Sequence, residues 1–264
     1  MSVSQQVAAQ LPFLRRYARA LTGSQHTGDL FVRATLEAAV ADDALRQDLG
    51  KGRVTLYKAF NALWSSGYLE VDQPGGTGNG HEQAATQRLR TVTPLNRQAL
   101  LLTTLEDFTV GEAAEIMEIA PHDVESLVRE AIEEIDREST TSVLIIEDEP
   151  LISMQLEDLV RSLGHDIAGT AATRTQAQEA VASSKPGLVL ADIQLADGSS
   201  GLDAVDDILA LGEVPVIFIT AYPERLLTGD RPEPTYLVTK PFQEASVRTA
   251  ISQALFFNSS KPID

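Results

Sequence analysis

Five positions in the C-terminal half have the residue types to receive and hold a phosphoryl group. Glu147 and Asp148 follow one short apolar run, Asp192 follows a second, Thr220 closes a third, and Lys240 follows a fourth, just before Pro241. Carboxylates gathered on one rim attract a hard divalent cation, and Mg2+ typically takes one or two carboxylates together with phosphate oxygens and water. Such a metal neutralises an incoming phosphoryl group, and an aspartate can act as nucleophile to give an aspartyl phosphate. The Lys240 ammonium can pair with the phosphoryl oxygens, and the Thr220 hydroxyl can donate to one of them. Taken singly, each residue has a bland explanation: an Asp after a strand caps a loop, a Lys-Pro makes a turn, and Glu147-Asp148-Glu149 is a solvated helix start. Their order along the chain is what makes the set specific.

That order requires a particular scaffold. Residues 143–146 are an uninterrupted apolar run, as expected for a strand buried on both faces. A helical pattern follows over 150–163, and strand and helix patterns then alternate over 167–171, 173–183, 188–191, 202–211, 214–219, 235–238 and 242–256. Five strands alternating with helices predict an α/β, flavodoxin-like fold with a five-stranded parallel sheet covered on both sides. In such sheets ligands bind outside the carboxyl ends of the strands, which is where the five residues fall.

The N-terminal half reads differently. Apolar residues recur at helical spacing over 11–21, 30–40 and 54–64, with Asp29 as the expected N-cap of the second helix. Residues 74–83 are Gly-rich and predict a flexible linker. Beyond it, Thr93 and Pro94 can open a helix. A short helix over 110–117, a turn over 118–121 and a last helix then read as a helix-turn-helix. The last helix carries Val124, Leu127, Val128, Ala131, Ile132 and Ile135 at a 3.6-residue period. The predicted organisation is an all-α half of two lobes, 1–73 and 84–138, then a polar connector over 139–142 and an α/β domain over 143–264.

The segments VLIIEDEP, LVLADIQLADGSSG, VIFITAY and TKPF resemble those of a two-component receiver domain. The resemblance implies that Glu147 and Asp148 are pocket acids and Asp192 the phosphoacceptor. It also implies that the Gln194 backbone carbonyl completes a Mg2+ site, that Thr220 is the switch hydroxyl, and that Lys240 precedes a cis Pro241. Many receivers carry an aromatic residue three positions before the lysine. Here that position is Leu237, with Tyr236 one earlier, and a one-residue offset points to the opposite face unless a bulge corrects it. Residues 222–234, with Pro223, Gly229, Pro232 and Pro234, are irregular for a fourth helix. The N-terminal half resembles extracytoplasmic-function sigma factors. LPFLRRYARALTGSQHTGDLFVRATLEAA is similar to their second conserved region, and TPLNRQALLLTTLEDFTVGEAAEIMEIAPHDVESLVREAIEEI to their fourth, which reads promoter DNA.

The charges oppose DNA binding. From Glu106 to Glu138 there are twelve acids and two bases, Arg129 and Arg137, a net of −10. The predicted recognition helix would present Asp123, Glu125, Glu130, Glu133 and Glu134 to a phosphate backbone whose affinity rests on Lys and Arg. In the first lobe Tyr57, Phe60 and Trp64 could stack on single-stranded bases. Only Lys58 is basic within 54–64, however, and core packing explains the aromatics as well. A sigma-shaped body without the cations can still bind what binds sigma factors. The whole arrangement resembles the PhyR family of general stress response regulators. That resemblance implies partner switching: phosphorylated at Asp192 by a sensor histidine kinase or phosphotransferase, the chain sequesters an anti-sigma factor of the NepR type and frees the sigma factor. A DNA-binding response regulator and a phosphorelay shuttle are the rival readings.

Composition fits a regulator of this kind. The formal net charge is −17, which disfavours DNA, RNA and anionic membranes as partners. There are no cysteines, so disulfides, Cys-based zinc sites and thiol catalysis are excluded. His26, His81, His122 and His165 are scattered and form no triad or ligand spacing, and no enzymatic role is expected. Secretory-signal and membrane-spanning patterns are absent from the sequence, which predicts a cytoplasmic protein, and a monomer is expected.

Overall fold

The structure is a computed structural model. It describes residues 3–66, 95–135, 140–195, 203, 205–206, 214–223, 226 and 234–259. The chain divides into two compact units, Met1–Glu133 and Glu134–Asp264. The linker at 74–83, the Thr93-Pro94 cap and most of the expected helix at 202–211 and irregular stretch at 222–234 lie outside the described residues.

In the first unit, α1 (Val3–Thr22) and α2 (Gln25–Ala41) cross closely. Gly28 permits this, because a Cβ there would lie 2.7 Å from the Arg19 backbone nitrogen. The helix α2 starts earlier than expected. Its N-cap is Ser24, whose side chain accepts from the Thr27 amide, and not Asp29. Asp29 sits one turn inside, where its carboxylate takes paired hydrogen bonds from Arg15 and Arg19. A charge-assisted, two-pronged pair is stronger than a cap bond, which explains the shift. A short α3 (Asp43–Leu49), capped by Asp42, follows, then α4 (Arg53–Ser66). Tyr57, Phe60 and Trp64 of α4 are buried and packed with Tyr17 and Phe31, edge-on or tilted. The stacking-platform alternative is thereby removed: these rings are core.

Past the central segment, α5 (Leu95–Leu100) runs into a π-helical turn, Leu101–Leu105. The Glu106 amide bonds the Leu101 carbonyl, Asp107 takes a left-handed φ of 53°, and the Phe108 amide returns to Leu102. A π-turn inserts a residue and re-aims those after it, which here turns Glu106 inward. Helix α6 (Val110–Met117) opens with a capping box between Thr109 and Glu112. Glu118, in the left-handed region, ends it. Helix α7 (Pro121–Ile135) follows as predicted. Its apolar stripe is only partly covered: Val124 and Ala131 are buried, Leu127, Val128 and Ile135 half-buried, and Ile132 exposed.

The second unit holds β1 (Ser142–Ile146), β2 (Asp166–Ala171), β3 (Leu188–Ala191), β4 (Val216–Thr220) and β5 (Tyr236–Thr239). All pair in parallel, in the order β2-β1-β3-β4-β5. Helices α8 (Pro150–Ser162) and α9 (Arg174–Ser184) are the crossovers described, and α10 (Glu244–Ser259) follows the last strand. On one face Leu144, Ile146, Val189, Ala191, Phe218 and Leu237 form a core with Ala177 and Val181 of α9. The alternate residues, Val143, Ile145, Leu190 and Ile219 among them, are buried as well, so both faces of the sheet are covered.

Candidate functional site

The parallel register brings the expected residues to one edge. Ile146 of β1 pairs with Ala191 of β3, so Glu147 and Asp192 leave the sheet side by side, and the Asp192 amide donates to the Ile146 carbonyl. Thr220 of β4 pairs with Thr239 of β5, and the Lys240 amide donates to the Thr220 carbonyl. The Lys240–Pro241 bond is cis.

At this rim the Lys240 ammonium donates to Glu147 Oε2 and to Asp192 Oδ2, each at 2.7 Å, and lies 3.6 Å from Glu149. Burial works against the ammonium, but its bonds to Asp192 and Glu147 outweigh that and hold its pKa above the ordinary lysine value. Burial pushes the Glu147 carboxyl up, against the pull of Lys240. One carboxylate oxygen each from Glu147, Asp148 and Asp192 can lie within 4.8 Å of the others. Two buried carboxylates and a half-buried third present hard oxygen donors of the kind Mg2+ takes, and one lysine does not neutralise three acids. The residues fit the metal.

Above them opens a cleft of about 420 Å³, lined by residues that include Asp148, Asp192, Gln194, Tyr222 and Lys240. Gln194 lies beside Asp192, and its amide donates to Asp192 Oδ1 at 3.3 Å. Thr220 differs from the others. Its side chain is fully buried and is not among the residues lining the cleft, and its oxygen accepts from the Tyr222 amide at 3.2 Å. Accepting leaves the hydroxyl proton available for donation. The β4–β5 register is unbroken, so no bulge corrects the aromatic offset. Leu237 therefore joins the α9-side core, while the Tyr236 hydroxyl reaches toward the Gln253 carbonyl of α10 at 3.4 Å.

The second cluster, in the helical unit, was not foreseen. Glu106 is only 1% exposed. Arg16 of α1 donates to its Oε1 at 2.9 Å, Tyr57 of α4 donates to its Oε2 at 2.7 Å, and Arg53 pairs with it too. Arg16 also reaches the Leu105 carbonyl, and the Arg53 guanidinium stacks 4.3 Å from the Phe108 ring centre. Burial opposes the charge on both arginines, yet Glu106 holds their pKa values above the ordinary one. One of the acids counted against DNA binding is thus internal. Two bases of the first helix are internal as well, Arg19 fully buried and Arg16 nearly so, while Lys58 pairs with Glu118 at the surface. On α7, Asp123, Glu125, Glu130, Glu133 and Glu134 are exposed as expected.

Comparison with known proteins decides the family. The profile "Sigma2 domain of PhyR" matches residues 7–61, "Response regulator PhyR, sigma-like domain" matches 89–138, and "Response regulator receiver domain" matches 143–252. The phyllosphere-induced regulator PhyR of Methylorubrum extorquens is 53% identical, over 98% of this chain and 97% of its own. The chain belongs to the PhyR family. Among solved structures, PhyR from Brucella abortus is 46% identical, with a TM-score of 0.83 over 98% of this chain and 96% of that one. The anti-anti-sigma factor PhyR from Bartonella quintana is 48% identical, with a TM-score of 0.84 over 98% and 97%. That Bartonella protein has also been crystallised in complex with the anti-sigma factor NepR. No helix among the described residues of this PhyR-family chain is long and apolar enough to cross a membrane.

Proposed function

We propose that this chain is a phosphorylation-dependent anti-anti-sigma factor. Phosphorylated on Asp192, it captures an anti-sigma factor of the NepR type and so frees a sigma factor for stress transcription. The observation that carries this reading is the fate of the cations: a body that belongs with sigma-like domains has Arg16, Arg19 and Arg53 engaged internally and acids on its exposed last helix. Such a body repels a phosphate backbone but keeps a sigma-like shape for a protein that grips sigma factors. The NepR complex of the Bartonella relative supports the same partner class.

At the rim, an Asp192 carboxylate oxygen attacks the phosphorus of a phosphohistidine on the donor protein. An O–P bond forms, the N–P bond breaks, and the leaving imidazole nitrogen regains its lone pair. Glu147, Asp148, Asp192 and the Gln194 carbonyl would hold Mg2+, which when bound would supply charge neutralisation for the transferred group. Lys240 loses its contact with Asp192 Oδ2 and pairs with phosphoryl oxygens. The Thr220 hydroxyl, now behind the cleft, turns toward the new group and draws its loop with it. Repacking at that loop is the signal.

The test is capture of a NepR-type protein on immobilised chain, with and without fluoroberyllate as the phosphoryl mimic. Wild type should gain at least tenfold with the mimic, and Asp192→Ala should gain nothing. Equal gain in Asp192→Ala would overturn the assignment of Asp192. A promoter-fragment mobility shift at low salt that fades with added salt would replace the partner-switch reading with DNA binding.

A further inference from the structure

We propose that Glu106 fuses the region-2-like and region-4-like segments into one preformed body, so that the captured partner reads a single composite surface. This rests on the partner-switch reading given above. The carboxylate belongs to the segment matching the sigma-like profile at 89–138, and its three side-chain donors, Arg16, Arg53 and Tyr57, all belong to the segment matching at 7–61. A Gly-rich stretch between the segments leads one to expect two lobes free to part. Here they do not part.

Three features set this cluster apart from ordinary packing. First, Glu106 is placed by an irregular piece of backbone: a π-helical turn before it and a left-handed Asp107 after it. Unusual backbone of this kind persists where surrounding contacts over-determine it. Second, the donors come from two helices, α1 and α4, so the node ties three pieces of chain together. Third, the contacts around it also run between the two segments. The Tyr57 and Phe108 rings meet at 4.8 Å, Asn61 donates to the Ile116 carbonyl, and Lys58 pairs with Glu118. Opening the joint would break the charge-assisted bonds from Arg16 and Arg53 and the bond from Tyr57 all at once, along with the packing around them, which makes it a poor hinge. The segments therefore stay joined when the receiver is phosphorylated, and activation changes what covers them, not how they sit against each other. Glu106 is a positioning residue: it touches no partner but fixes the relative placement of α2 and α7, which do present surface.

The absence of cysteines makes a direct test simple. Two introduced cysteines, Val40→Cys on α2 and Ser126→Cys on α7, both at exposed positions, carry spin labels on the full chain. Electron–electron distance measurement should give one narrow peak, unchanged by fluoroberyllate. In the same background Glu106→Gln should broaden the peak and weaken capture of a NepR-type protein at least tenfold, with fluoroberyllate binding by the receiver unchanged. Where Glu106→Gln does not fold, Arg53→Lys serves instead. It keeps the charge but loses the forked geometry and the stacking on Phe108, and a smaller broadening is expected. A wild-type peak that shifts or splits with fluoroberyllate would overturn the proposal, as would variants that keep both the peak and the affinity. If wild type captured no such partner, the functional reading would fall, and the distance data alone would still decide whether Glu106 joins the segments.

Discussion

In the receiver unit one ammonium, Lys240, sits between two carboxylates; in the helical unit one carboxylate, Glu106, sits between two guanidiniums and a phenol. The two clusters are alike in depth and opposite in sign, yet only one can be a reactive site. At the rim the acids outnumber the cation and Asp148 adds a third carboxylate over an open cleft, so negative charge is left over to hold a metal and meet a phosphoryl donor. Around Glu106 the carboxylate is fully paired and shut off from solvent, with Arg16 and Tyr57 buried beside it and only Arg53 keeping part of its side chain exposed. Surplus charge with access makes chemistry possible, whereas compensated charge without access makes a joint.

Removing one member of each cluster sharpens the contrast. Glu106→Gln leaves the buried Arg16 guanidinium, and the half-buried Arg53, without their anion, and breaking a buried pair in this way costs about 3–5 kcal/mol. Trp64 is the sole tryptophan and is buried in the helical unit, so its fluorescence during urea unfolding reports that unit alone. The midpoint should fall sharply. A fall of less than about 1 kcal/mol would mean that the joint is held by packing, with the charges idle. Lys240→Met at the rim should cost less, about 1–2 kcal/mol, because water in the cleft can still solvate Asp192 and Asp148. Amide exchange in β1 and β3 is the measurement. Saturating Mg2+ should restore more protection to Lys240→Met than it adds to wild type, since the metal replaces the lost cation among the three acids. If Mg2+ protected both equally, the lysine and the metal would not share those carboxylates.

The difference between the clusters also marks what a sequence can disclose. The rim was legible because strand periodicity fixes where each strand ends, and a parallel sheet sends all carboxyl ends to one edge. Asp192, Lys240, Glu147 and Asp148 needed no distance information to be grouped. Thr220 was placed on the right strand, but that its side chain lies behind the cleft depends on a hydrogen bond from the Tyr222 amide, a detail below the reach of pattern. Which faces of the sheet Tyr236 and Leu237 take depended on the unbroken β4–β5 register. Glu106 was invisible for a different reason. Its partner Arg16 lies 90 residues away, beyond a Gly-rich stretch, and the π-turn that aims it inward breaks the 3.6-residue count a helical reading relies on. Arg15, Arg16 and Arg19 gave no hint either, since an arginine on an amphipathic helix reads as solvent-facing until its acid is found.

The smallest expected effect concerns a third cluster, one that stands between the two extremes. Asp29 receives Arg15 and Arg19, of which Arg19 is fully buried, but the carboxylate itself keeps 29% of its side chain exposed. Burial raises its pKa, yet the hydrogen bonds and charges of Arg19 and Arg15 prevail and hold it below the ordinary aspartate value. A carboxylate depressed in the folded state adds stability that is fully present above its unfolded pKa and is lost as pH falls through the folded one. Acidification from about pH 5 downward should therefore destabilise wild type by about 1 kcal/mol more than Asp29→Asn, read again by Trp64 fluorescence. The two curves should converge at the acid end, where the wild-type carboxyl is protonated as well. Because the Asp29 carboxylate is partly open to solvent, added salt should shrink the gap, whereas the fully buried Glu106 carboxylate should respond less to salt. Parallel curves for wild type and Asp29→Asn across that range would show that the arginines lie beside Asp29 without drawing stability from its charge. Access to water would then matter more than pairing in deciding which of this chain's ion clusters hold it together.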